Sequence, residues 1–171
     1  MTPVGHLSVS YLVGRAWPRL PLRAFLIGGL LPDIEFLLFP LEGFNEFHRV
    51  LTHNIFFVSL AGLVAAAFVG GTMHARLRFL AAMFVGGALH LFVDAIIDNN
   101  PTNGLGVAIF WPVTDWMFCP FNLVSPTAAG WNAPFEMVKH LWKSLMIEAP
   151  FYLAAVYLFF RARSATPEDS A

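Results

Sequence analysis

His90, Asp94 and Asp98 stand four residues apart along an otherwise apolar run. At about 100° per residue, a helix places the first two one turn apart on a single face. An imidazole and a carboxylate so placed can ligate one metal ion or bridge two neighbouring ones. The same spacing also suits a buried histidine hydrogen-bonded to the carboxylate of its own helix. His48 and His53 are five apart, about 140° around a continuous helix, so they converge only where a turn intervenes. Thr52 is a candidate N-cap before His53. His6 near the start and Asp33 complete a candidate ligand set of His6, Asp33, His48, His53, His90 and Asp94.

Asp33 lies in the string Leu-Leu-Pro-Asp-Ile-Glu, where Pro32 removes a backbone hydrogen bond and loosens the helix. On a regular helix Asp33 and Glu35 are about 200° apart, so one of them faces the bundle, and Asp33 is the expected one. The alternative is a protonated Asp33, or one paired with Arg49 or a nearby histidine. Glu148, at a helix end, is left open as a site residue, as is Glu35. His140 forms an i, i+4 pair with Glu136 that suits a surface, and His74 stands with Arg76 and Arg78 as a solvated group. Cys119 is the only cysteine, which excludes an intrachain disulfide and a thiolate-rich zinc site. Any metal is therefore held by nitrogen and oxygen.

These polar groups sit within segments that read as membrane spans. The 171 residues are 57% hydrophobic and 12% charged, with mean hydropathy +0.65, far from the globular average of about 25% charged. Ionisable residues in such segments pair, bind ions or carry function. Asn54 to Met73 runs twenty residues without a charge, a rise of about 30 Å that matches a bilayer core. Ala24 to Phe39, Leu77 to Ile97 and Ser144 to Phe160 are further apolar runs, and Val4 to Trp17 reads as a shorter helix. The expected fold is all-α: a multi-pass transmembrane helical bundle of about four full spans plus a short N-terminal helix. Asn99 to Lys143, rich in Pro, Gly, Asn and Trp, reads as an irregular segment before the last span, with Trp111, Trp116, Trp131 and Trp142 suited to the headgroup level. Residues 1–163 form one membrane-embedded domain, and 164–171 a disordered C-terminal tail.

The first basic residue is Arg15, so no positively charged start announces a signal peptide. The net charge of -1 and the scattered basic residues exclude the basic stripe of a nucleic-acid binder. Placing Arg15, Arg19, Arg23, Arg76, Arg78, Arg161 and Arg163 in the cytoplasm puts seven of ten basic residues inside, as the positive-inside rule prefers. The N-terminus is then outside and the C-terminus cytoplasmic. The candidate ligands, scattered along the chain, converge on the outer leaflet.

Gly5-His6-Leu7, Leu31-Pro32-Asp33-Ile34-Glu35, His48-Arg49-x-x-Thr52-His53, Leu89-His90 followed by Asp94, Gly104, and Phe110-Trp111-Pro112 occur in an order that resembles the YdjM-like family of predicted inner-membrane, metal-dependent hydrolases. The order of His, Asp, His and His-x3-Asp is also loosely similar to the zinc-dependent phospholipase C and nuclease superfamily. Glu35 replaces the usual second Asp, Asn54 the common Ser, and no His-x3-Glu follows Asp94. The resemblance implies an inner-membrane phosphoesterase with roughly one to three zinc ions, although the same donors suit other divalent transition metals. Such an ion activates water. Asp33 or Asp98 would take a proton, and Arg49, with the helix N-terminus after Thr52, would stabilise charge on a phosphoryl oxygen. The expected partners are membrane lipids, with a phospholipid or other amphiphilic phosphoester as substrate. Two other readings fit the same residues: a small proton- or metal-transporting bundle, and a non-catalytic structural metalloprotein.

Overall fold

The structure is a computed structural model that describes residues 1–38, 44, 48–97, 106–121 and 134–164. Five α-helices and one 3-10 helix make up the described elements: α1 (Pro3–Ala16), α2 (Leu22–Leu30), the 3-10 helix (Leu31–Leu38), α3 (Ile55–Phe68), α4 (Met73–Ile96) and α5 (Pro134–Ser164). Among the described residues the only β pairing is a single bridge between Val107 and Phe118.

Local chemistry sets most boundaries. Thr2 caps α1 by accepting from Gly5 N–H at 3.1 Å, with Pro3 at the first helical position, where its missing N–H costs nothing. Asn54 caps α3 through Phe57 N–H at 2.8 Å, and Thr72 caps α4 through Ala75 N–H. α3 stops at Phe68, before Gly70 and Gly71, the latter at φ 100°. After Leu30 the backbone tightens into eight residues of 3-10 helix that contain Pro32, an unusually long run for that geometry.

Glycines let α2 and α4 approach closely. A Cβ on Gly28 would run into the backbone of Met83, and one on Gly86 into the backbone of Phe25. Gly29 faces Ser10 of α1 and Gly87 faces Val58 of α3 with as little room. In lipid, helix association relies on such packing because burial from water is not available as a driving force. Ala24, Phe25, Ala82 and Met83 fill the seam, and Val58, Leu91, Ala95 and Val107 form a second cluster at the far end of α4. There Ala108 N–H meets Arg49 O at 3.4 Å and Ile55 N–H donates to Ile109 O at 2.9 Å, tying the 106–121 loop to the start of α3.

The all-helical expectation holds, and the span count is corrected. Among the described residues two helices are long and apolar enough to cross a membrane, Met73–Ile96 and Trp142–Ser164, rather than four. The run from Ala24 to Phe39 is divided at Leu31. The run from Asn54 to Met73 yields a 14-residue helix, a rise of about 21 Å against a core of about 30 Å. The last helix also starts earlier than expected, at Pro134, within the segment read as irregular. The 165–171 part of the expected tail lies outside the described residues.

Candidate metal centre

Four chain segments deliver the polar groups to one end of the bundle. α1 brings His6 on its first turn, the 3-10 helix brings Asp33 and Glu35, the turn before α3 brings His48, Arg49 and His53, and the last two turns of α4 bring His90 and Asp94. His6, His53, His90 and Asp94 are each no more than 2% exposed, and the Asp33 side chain 10%.

His90 Nδ1 lies 2.8 Å from the Gly29 carbonyl, so this nitrogen carries the proton and Nε2 presents a lone pair. His53 is oriented in the same way by Glu35, whose Oε1 lies 3.2 Å from His53 Nδ1. The two Nε2 atoms face each other at 3.1 Å. Asp94 Oδ2 is 3.4 Å from His53 Nε2 and 3.6 Å from His90 Nε2, and Asp33 Oδ1 is 3.8 and 3.7 Å from the same two atoms. A tetrahedral ion with ligand distances of about 2.0–2.1 Å needs donor atoms about 3.3 Å apart. These five separations bracket that value. Asp33 Oδ2, although buried, has no hydrogen-bond partner among the described residues. These His and Asp groups could therefore hold a metal ion.

A second group of three donors, His6, His90 and Asp94, adjoins the first. His6 Nε2 is 3.0 Å from Asp94 Oδ1, and its ring stacks on His90 with centroids 3.5 Å apart. The Met1 ammonium lies 2.7 Å from the same oxygen, and Arg49 Nε is 3.8 Å from Oδ2. Burial alone would depress the His53 imidazole, but hydrogen bonds and charge from Asp94 and Glu35 outweigh it and hold it up at about 9. Asp94 is thus surrounded by groups that carry or can carry positive charge.

Glu35 joins the surrounding groups into one wedge. Its Oε1 accepts from Arg49 N–H at 2.8 Å and lies 2.7 Å from His48 Nδ1, while Thr52 Oγ1 is 2.7 Å from Oε2 and 2.6 Å from the Pro32 carbonyl. Arg49, 4% exposed, adopts φ 66°, a left-handed backbone that is costly for a residue with a side chain.

Asp33, His53 and His90 come together as one donor group and His6, His90 and Asp94 as the adjoining one, with Asp94 Oδ2 also 3.4 Å from His53 Nε2. His48 stands one step away, bonded to Glu35, and burial lowers its affinity for a proton. Asp98 and Gly104 lie outside the described residues, and nothing is described of the His140 and Glu136 side chains. Two expectations need correction. Asp33 does not face the site alone: at about 120° per residue, 3-10 geometry brings Glu35 nearer its side than an α-helix would. Thr52 does not cap the helix, because Asn54 does so and the helix N-terminus begins two residues later than expected.

The sequence model described as YdjM inner membrane protein matches residues 1–166. The chain belongs to the YdjM inner membrane protein family. Comparison with curated proteins and with solved structures returned no match. YdjM membership and the two apolar helices together make this a membrane protein of the inner membrane.

Proposed function

We propose that this YdjM protein is a metal-dependent hydrolase of a phosphoester, with a lipid head group or other amphiphile as substrate. The observation that carries the reading is a cluster of buried His and Asp donor atoms, 3.1–3.8 Å apart around His53 and His90, beside a buried arginine held in a strained backbone. Asp33, His53, His90 and Asp94 would hold zinc, or another divalent transition metal, and His6 with Asp94 could take a second ion. When bound, the metal supplies Lewis-acid activation of water and of a phosphoryl oxygen.

The chain's own residues have separate tasks. Glu35 fixes the tautomer and ring orientation of His53, and the Gly29 carbonyl does the same for His90. Arg49 offers a fixed positive charge to a phosphoryl oxygen. Asp33 Oδ2, unpartnered, is placed to take a proton from water. Asp33 is also the most exposed of the four donors and stands beside Ile34, Leu37 and Leu38, all exposed and apolar. Such a border suits a substrate with an acyl chain.

In a multi-pass arrangement the donor end faces the extracytoplasmic side. Arg15, Arg76, Arg78, Arg161 and Arg163 occupy the helix ends opposite the donors, as the positive-inside rule prefers. The N-terminus is then outside and the C-terminus cytoplasmic.

A structural metal staple is the second reading, favoured by four protein donors, which can close a tetrahedral site. Transport is less well supported, since the donors gather at one end instead of lining a path through the membrane. The test is hydrolysis of an aryl phosphodiester and of phosphatidylglycerol vesicles by metal-loaded protein in detergent. Metal-dependent product release supports the hydrolase. Bound metal that raises the melting temperature without turnover supports the staple.

A further inference from the structure

Glu148 of α5 is fully buried, far in sequence from every donor. Its Oε1 accepts from Thr2 N–H at 2.9 Å, and its Oε2 accepts from Thr2 Oγ1 at 2.6 Å and from Tyr152 OH. Thr2 in turn caps α1 by accepting from Gly5 N–H. In the usual capping box, an acidic residue at the third helical position reaches back to the backbone N–H of the capping residue. Here that position is Gly5, which has no side chain to offer. A Cβ at Gly5 would collide with the Glu148 carboxylate, so that carboxylate fills the space and performs the task from another helix.

We propose that Glu148 is a positioning residue, which completes a capping box across two helices and thereby sets His6 against Asp94. His6 is the next residue after Gly5, and its Nε2 to Asp94 distance of 3.0 Å depends on where the first turn of α1 begins. α5 packs on the bundle mainly along α1, and this carboxylate, with Tyr152 OH 2.7 Å from Thr2 Oγ1, ties the C-terminal helix to the start of the helix that carries His6. The link to metal affinity rests on the metal reading above; the placement of His6 does not.

The test compares wild type, Glu148→Ala and Glu148→Gln in detergent by diethylpyrocarbonate labelling, read histidine by histidine with mass spectrometry. In the wild type, exposed His74 is labelled while His6, His53 and His90 are protected. Glu148→Ala is expected to expose His6 alone, and to weaken zinc binding about tenfold. Glu148→Gln still accepts from Thr2 N–H and can donate to the hydroxyl oxygens, so it is expected to keep His6 protected. Continued protection of His6 in Glu148→Ala would overturn the proposal. So would labelling of His6 together with His53 and His90, which would mean that the whole bundle had opened. If the wild type binds no zinc, the metal reading fails and the labelling pattern alone decides this one.

Discussion

His90 Nδ1 meets the Gly29 carbonyl at 2.8 Å, so the helix that carries a donor is locked to its neighbour through the donor's own ring. The lock requires the close approach of α2 and α4 that Gly28 and Gly86 allow. Stability of the seam and geometry of the site are therefore one property. Gly86→Val should lower stability by about 1–3 kcal/mol through overpacking against Phe25. It should also weaken metal binding, read as a lower melting temperature in detergent and a weaker zinc titration in the same preparation.

Glu35 touches no substrate in this account, but it holds His53, Arg49 and Thr52 in register. Glu35→Gln should reduce metal affinity about 10–100-fold, the usual effect of removing a partner that orients a ligand. Competition with a chelator of known affinity measures it, and an unchanged affinity would show that His53 needs no such orientation.

Much of this site was legible in the sequence. Residue types alone singled out His6, Asp33, His53, His90 and Asp94, because ionisable groups in apolar helices call for partners, and the arginines placed them at one end. Glu35 was not, because α-helical periodicity turned it away from Asp33, and only the 3-10 geometry after Pro32 brings it round. The span count failed for a related reason. Hydropathy sees an apolar run, whereas Pro32, Gly70 and Gly71 decide where helices stop. Glu148 was visible as an oddity, but its partner Thr2 lies at the other end of the chain, and only tertiary structure joins them.

Arg49 has its backbone N–H on Glu35 and its side chain at Asp94. Arg49→Ala should lower turnover about 10²–10³-fold, the scale of one lost charge-stabilising donor, while metal content stays at the wild-type level. Steady-state kinetics on a phosphodiester, together with metal analysis, separates the two effects. Loss of metal with loss of activity would make Arg49 part of the scaffold instead.

Asp94 and Glu35 hold the proton of the His53 imidazole up to about 9, above the ordinary 6.5. Its protonated form is thus favoured by the fold; that contribution is complete below 6.5 and lost as pH rises through about 9. A metal must displace the proton, so binding between these values should release about one proton and weaken as pH falls. Calorimetry in buffers of different ionisation enthalpy counts it. No proton release would place the metal elsewhere or leave His53 neutral.

The most direct test of the central claim is elemental analysis of the detergent-purified protein, prepared without chelators, beside a folded His90→Ala, Asp94→Ala variant. The account predicts about one or two transition-metal ions per chain in the wild type and none in the variant. A folded wild type free of metal, and unable to take up zinc on titration, would contradict it.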